Sequence, residues 1–146
     1  MRDSISNQVG KLFRHVARVH NRAVRRFELS TVQANILAIL WEEGALNIGE
    51  LQAELALGSS TLTGAIDRME RVGLVKRADV PGDRRAVRIE PVEWPAQKRK
   101  ALSEAFVATE EAAYGDLTPA ERRELLRLVN KAIASIERVD HDDDDD

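Results

Sequence analysis

Residues 59–90 read Ser59-Ser60-Thr61-Leu62-Thr63-Gly64-Ala65-Ile66-Asp67-Arg68-Met69-Glu70-Arg71-Val72-Gly73-Leu74-Val75-Lys76-Arg77-Ala78-Asp79-Val80-Pro81-Gly82-Asp83-Arg84-Arg85-Ala86-Val87-Arg88-Ile89-Glu90. Leu62, Ala65 or Ile66, Met69 and Val72 recur at helical spacing, which predicts a helix from about Ser60 to Val72 closed by Gly73. Leu74–Arg77 and Ala86–Glu90 then predict two short strands, the second turning Val87 and Ile89 inward and Arg88 and Glu90 outward. Pro81-Gly82 between charged flanks is strong turn chemistry, so the two strands form a hairpin with a basic tip.

Upstream, Ser30 or Thr31 caps a helix running to Glu43, where Gly44 supplies a left-handed terminal residue. A short helix spans Ile48 to Leu55, and Leu57-Gly58-Ser59 forms the turn into the Ser60 helix. Helix, short helix, glycine-containing turn, helix and hairpin in that order predict a helix-turn-helix with a wing. Ahead of it, Ile5, Val9, Leu12, Phe13, Val16, Val19, Ala23 and Phe27 predict one long amphipathic helix from Ile5 to Phe27. Beyond the wing, Pro91 and Pro95 flank Trp94, and Ala101, Leu102, Ala105, Phe106, Thr109 and Ala113 mark a fifth helix ending near Gly115. Thr118-Pro119-Ala120-Glu121 has capping-box spacing and opens a sixth, with Leu125, Leu128, Val129, Ala132, Ile133 and Ile136 as its stripe.

The expected fold is therefore mainly α: six helices, a small β-hairpin wing, and long dimerisation helices around a winged helix-turn-helix. The expected divisions are a dimerisation helix over 1–28, the winged region over 29–92, further dimerisation helices over 93–139 and an acidic tail over 140–146. The apolar stripes of the first and last helices are longer than one small domain can bury, and a second copy of the chain is the simplest cover.

The chain has 146 residues, which fits one compact domain or a domain with helical extensions. Cysteine is absent, which excludes disulfides, thiolate metal sites and thiol redox chemistry. The six-residue apolar run Ile36–Trp41 falls far short of the ~18 residues that span a membrane. No signal-peptide core is visible, and a soluble, cytoplasmic protein with no membrane partner is expected. Lys and Arg number 22 against 25 Asp and Glu, yet six of those acids fall in Asp140–Asp146, so the body is basic while the tail is acidic. The tail reads as a disordered like-charge block or as a mimic of nucleic acid. His141 within it could touch a divalent ion, but nothing there fixes a geometry.

A helix that enters a DNA groove presents short polar and basic side chains from its N-terminus. Ser59, Ser60, Thr61 and Thr63 offer hydroxyls to phosphates or base edges, Gly64 allows close approach, and Arg68 and Arg71 reach phosphate or guanine. Equally, the hydroxyls could cap the helix while solvent surrounds the arginines. Lys76 and Arg77 on the first strand, with Arg84 and Arg85 at the tip, add a cationic finger suited to a narrow minor groove. Asp83 either orients Arg84 through a bidentate pair or simply makes the turn. In the first helix Lys11, Arg14, Arg18, Arg22, Arg25 and Arg26 occur with no acid between Ser4 and Phe27, a face offset either by solvent or by phosphate.

An enzyme needs a convergent nucleophile, base and orienting group, or a metal cluster. Three histidines, two of them in the first helix, supply neither, and no glycine-rich phosphate loop is present. No catalytic residue, metal site or cofactor is expected. The remaining rival is a winged helix that binds protein and leaves DNA alone.

Leu29-Ser30-x-x-Gln33, Ile48-Gly49-Glu50-Leu51, Ser60-Thr61-Leu62-Thr63 with Ile66-Asp67-Arg68-Met69-Glu70, Gly73-Leu74-Val75-x-Arg77 and Asp83-Arg84-Arg85-Ala86 together resemble the MarR family of bacterial winged-helix transcription regulators. The resemblance implies a homodimer with interleaved first, fifth and sixth helices, reading a double-stranded DNA pseudo-palindrome with half-sites roughly 10 bp apart. It implies that Ser60, Thr61, Thr63 and Arg68 face the major groove and Arg84 the minor groove. The expected role is a transcriptional repressor or activator, repression being the first expectation though the residues do not give the direction. A small aromatic effector between the dimer and DNA-binding regions is also implied. The residues leave its pocket unknown, with His15, His20 and Trp41 as candidate linings or structural groups. The absence of cysteine separates the chain from the family's peroxide-sensing branch. After the wing the sequence departs from the family pattern, and Pro91-Val92-Glu93-Trp94-Pro95-Ala96-Gln97 replaces a Leu-Thr-x-x-Gly helix start.

Overall fold

A computed structural model describes residues 3–144, with side chains as far as Asp140. The order is α1 (Ile5–Arg25), α2 (Thr31–Glu43), α3 (Ile48–Leu55), α4 (Ser59–Arg71), β1 (Val75–Val80), β2 (Asp83–Pro91), α5 (Ala96–Tyr114) and α6 (Pro119–Asp144). Two compact units divide between Thr109 and Glu110.

In the first unit, local chemistry sets most helix ends. The Ser4 hydroxyl accepts from the Asn7 N–H and starts α1. This helix stops at Arg25, short of the expected Phe27, because Glu28 takes φ 60° and turns the chain so that Leu29 enters the core. Ser30 and Gln33 form a capping box on α2, and Asn47 and Glu50 form another on α3. Gly44 does take a positive φ of 85°, but its ψ of −161° is extended and not helical. That conformation sends the chain straight toward Leu46, which bridges Ile89.

Leu62, Ala65, Ile66 and Met69 of α4 are buried as their spacing requires. Val72 is not: it lies beyond the helix end with 68% of its surface exposed, since the chain leaves helical geometry there and carries the side chain off the stripe. The strands are longer than expected and run up to a two-residue turn at Pro81-Gly82. Gly82 has φ 84°, a conformation that disfavours any side chain. Ile36, Leu37, Leu40, Leu51, Leu62, Ile66, Met69, Val75, Ile89 and Leu102 form one core. Each such side chain contributes roughly 1.5–3 kcal/mol by leaving water. Trp94 and Leu102 belong to that core, so the start of α5 is packed with the winged region.

In the second unit, α5 ends at Tyr114, and a Cβ at Gly115 would lie 2.5 Å from the Glu111 carbonyl oxygen, so only glycine fits. Thr118 N–H donates to Glu121 at 2.8 Å and Glu121 N–H to the Thr118 hydroxyl at 3.2 Å, completing the expected capping box. Arg122 pairs with Glu111 at 2.9 Å and ties the start of α6 to the end of α5. α6 continues past the expected end at Val139 to Asp144, because no glycine or proline after Pro119 interrupts a helix whose propagation is easy once begun. The expected tail is thus helical at its start, while residues 145–146 and the His141 side chain lie outside the described part.

Candidate nucleic-acid interface

α4 has Gly58 at its N-cap and no side-chain cap bond. The first helical hydrogen bond runs from Leu62 N–H to Gly58 O, so the amides of Ser59, Ser60 and Thr61 precede it. Those N–H groups carry the positive end of the helix dipole. Ser59, Ser60 and Thr61 are all exposed, and of the two readings of their hydroxyls, capping is the one this geometry does not use. Thr63 and Gly64 are half-buried. A Cβ added at Gly64 would meet only Arg68 Nη1, at 3.5 Å, so packing inside the protein does not require glycine there. Arg68 and Arg71 are exposed, with no ion-pair partner among the described residues.

Arg77 is arranged differently from the other cations. Its Nη2 donates to Asp67 at 2.6 Å, its Nη1 to Glu70 at 2.7 Å, and its backbone N–H to Glu70 at 3.2 Å. The Asp67 hydrogen bond above all holds the guanidinium's pKa above its ordinary value; burial opposes it, and the bond and charge of Glu70 add to the rise. This is a clamp between β1 and α4: Arg77 has two carboxylate partners and offsets one of the two negative charges on the outer side of α4. Lys76 pairs across the ladder with Glu90 at 3.3 Å.

The hairpin is stiff at its root and irregular at its tip. Leu46 N–H donates to Ile89 O at 3.1 Å and Ile89 N–H to Leu46 O at 2.7 Å, and Arg88 donates to the Ala45 carbonyl. Toward the tip the register jumps from Asp79↔Val87 to Val80↔Asp83, leaving Arg84, Arg85 and Ala86 out of the pairing. Arg84 and Arg85 are exposed. The Asp83 carboxylate accepts the Arg85 backbone N–H at 2.9 Å, which is the turn-forming reading of that residue.

Sequence reasoning missed the anchors of this surface: the Arg77 clamp, the Leu46–Ile89 bridge and the Arg88–Ala45 contact. Only the acid pair Asp67 and Glu70, one turn apart on α4, could have signalled the first. Lys11, Arg14, Arg18, Arg22, Arg25 and Arg26 are exposed along α1, with Arg18 bonded to His15 Nδ1 at 2.8 Å. His20 meets the edge of Phe106 at 4.8 Å, and Trp41 packs on Trp94. No group of metal-ligating side chains occurs among the described residues, and none of their helices is long and apolar enough to cross a membrane.

The profile of the MarR family matches residues 29–87. The transcriptional regulator MgrA of Staphylococcus aureus is 33% identical over 119 residues, 82% of this chain and 80% of that protein. Among solved structures, a MarR family regulator from Listeria monocytogenes complexed with 26mer DNA superposes with TM-score 0.84 at 19% identity, covering 92% of this chain and 89% of that one. BpsR of Bordetella bronchiseptica, whose DNA binding is regulated by 6-hydroxynicotinic acid, superposes with TM-score 0.78 at 20% identity, covering 90% and 94%.

Proposed function

The chain belongs to the MarR family of transcriptional regulators and is not an enzyme, and on that premise we propose that it binds double-stranded DNA sequence-specifically, as a homodimer on a pseudo-palindromic operator, to repress transcription. The observation that carries this reading is the pairing of two surfaces by one clamp. The open, hydroxyl-bearing start of α4 suits the major groove, and the unpaired Arg84-Arg85 tip suits the minor groove. Arg77 holds the two elements in one relation through Asp67 and Glu70. In this reading Ser59, Ser60, Thr61, Thr63, Gly64, Arg68, Arg71, Lys76, Arg84 and Arg85 contact DNA, Asp83 shapes the tip, and Arg77 positions α4.

A homodimer is supported by apolar side chains left in water. On α1, Ile5 and Phe13 are 83% and 70% exposed; on α6, Leu126 and Ile136 are 62% and 58% exposed. A monomer rarely leaves such rows uncovered. A small aromatic effector is proposed as well, by analogy with the relative regulated by 6-hydroxynicotinic acid. Work on chromosomal DNA implies a cytoplasmic location.

The test is a fluorescence-anisotropy titration against the DNA upstream of the chain's own gene at two salt concentrations, with an unrelated duplex as control and sedimentation to give the stoichiometry. Selective, salt-sensitive binding at one dimer per site is expected. Equal affinity for both duplexes would replace this reading with a winged helix that binds protein.

A further inference from the structure

Tryptophan occurs twice in the sequence, and the fold brings the two copies together. Trp41 lies near the end of α2, and Trp94 lies in the linker between β2 and α5. Their ring centroids are 5.4 Å apart with planes at 61°, an edge-to-face contact. Trp94 is only 7% exposed. Two neighbouring cations from the first turn of α5 cover the pair: Lys98 Nζ stands 4.2 Å from the Trp94 ring centre and Arg99 Cζ 4.9 Å from that of Trp41. That turn is itself fixed, since the Pro95 carbonyl accepts from Lys98 N–H at 2.9 Å and Arg99 N–H at 3.1 Å. At the other end of the linker, Val92 N–H donates to Leu74 O at 2.9 Å. The connection from wing to α5 therefore has no slack. Backbone bonds hold both its ends, and a four-residue aromatic and cationic cluster holds its middle.

None of the four residues lies on α4 or at the hairpin tip. We infer that the cluster sets the direction in which α5 leaves the winged region, and that Trp94 is a positioning residue for DNA recognition, fixing which separation of half-sites the dimer accepts. The inference rests on the reading of the chain as a homodimer on paired half-sites. Successive half-sites are about one helical turn, roughly 34–36 Å and 10–10.5 bp, apart, so each added base pair both translates and rotates the second site. A small change in how α5 is held is then read as a change in preferred spacer.

The experiment uses the full-length protein and the duplex it retains from its own upstream DNA, footprinted to its half-sites, with the central spacer lengthened or shortened by one and two base pairs. Wild type is expected to lose about tenfold in affinity at one base pair from the optimum, and Trp94→Leu to flatten that to about threefold or less. Trp94→Phe, which keeps a ring in the site, restores the sharp profile. Because Trp94→Leu could fail to fold, the exposed pair Lys98→Gln/Arg99→Gln is the second variant. It flattens the profile with both indoles in place, and its tryptophan emission moves to longer wavelength as the rings loosen. Variants that stay folded, stay dimeric and keep the wild-type spacing profile would overturn the inference. Wild type that fails to distinguish its upstream DNA from an unrelated duplex would instead overturn the DNA-binding reading beneath it.

Discussion

Arg77 Nη2 donates to Asp67 Oδ1 over 2.6 Å, so strand β1 grips the outer side of α4 by an ion pair. With Glu70 as second partner, the guanidinium spans two carboxylates on the exposed side of α4. Arg77→Met is expected to lower fold stability by no more than about 1 kcal/mol, as partly exposed pairs do. It should weaken DNA binding by about 1–3 kcal/mol, because helix orientation and charge masking are lost together. Urea unfolding and an anisotropy titration separate the two effects, and equal losses in both would make the clamp a stability device alone.

Arg84 sits outside the strand pairing beside the Pro81-Gly82 turn, and its side chain has no hydrogen-bond or ion-pair partner among the described residues. Arg84→Ala is expected to weaken operator binding by about 1–3 kcal/mol and to leave the dimer intact. Wild-type affinity in this variant would remove the wing tip from the interface.

The two basic surfaces differ in how they should respond to salt. Each phosphate contact contributes about −0.9 to the slope of log K against log salt. Arg68→Gln/Arg71→Gln should reduce the magnitude of that slope by about 0.9 for each contact removed in each subunit. Arg14→Gln/Arg18→Gln/Arg22→Gln should leave it nearly unchanged if solvent alone surrounds α1. A large reduction from the α1 variant would extend the DNA surface to that helix.

Hydrogen bonding to Thr118, first through its backbone N–H and then its side chain, holds the Glu121 carboxyl below its usual pKa. A carboxylate depressed in the folded state stabilises above its unfolded pKa, and that contribution is lost as pH falls through the folded one. The stability difference between wild type and Glu121→Gln should therefore be present at neutral pH and vanish below the ordinary carboxylate range. Thr118→Ala, which removes the cap and one of the bonds that hold the Glu121 carboxyl down, should cost about 1 kcal/mol at neutral pH and somewhat less in acid. Thermal melts at neutral and acidic pH check both.

What was legible in the sequence was local. Ser30, Thr118 and Glu121 announce helix starts, and Pro81-Gly82 announces a turn, because their bonds reach only a few residues along the chain. Asn47-x-x-Glu50 carries the same signature at the start of α3. Ala56 gave no such sign: its left-handed φ of 49° arises where two helices must be joined tightly. Nor could spacing reveal that Arg77 serves Asp67 or that Trp41 meets Trp94, since both contacts depend on tertiary packing. For the candidate site, residue chemistry grouped the cations, and only the fold showed that Arg77 and Lys76 have carboxylate partners while Arg68 and Arg71 have none among the described residues.

On the proposed DNA-binding reading, Gly64 ties heat resistance and binding to opposite choices. A glycine inside a helix costs about 1 kcal/mol relative to alanine, and the only atom near an added methyl here is one flexible guanidinium nitrogen. A laboratory screen rewarding survival at high temperature alone would therefore accept Gly64→Ala early. If the duplex backbone approaches α4 at this point, the same clone would be among the first to lose its grip on the operator. Thermostabilised versions of this protein, intended as sensors or tools, would have to keep that glycine and find their added stability elsewhere.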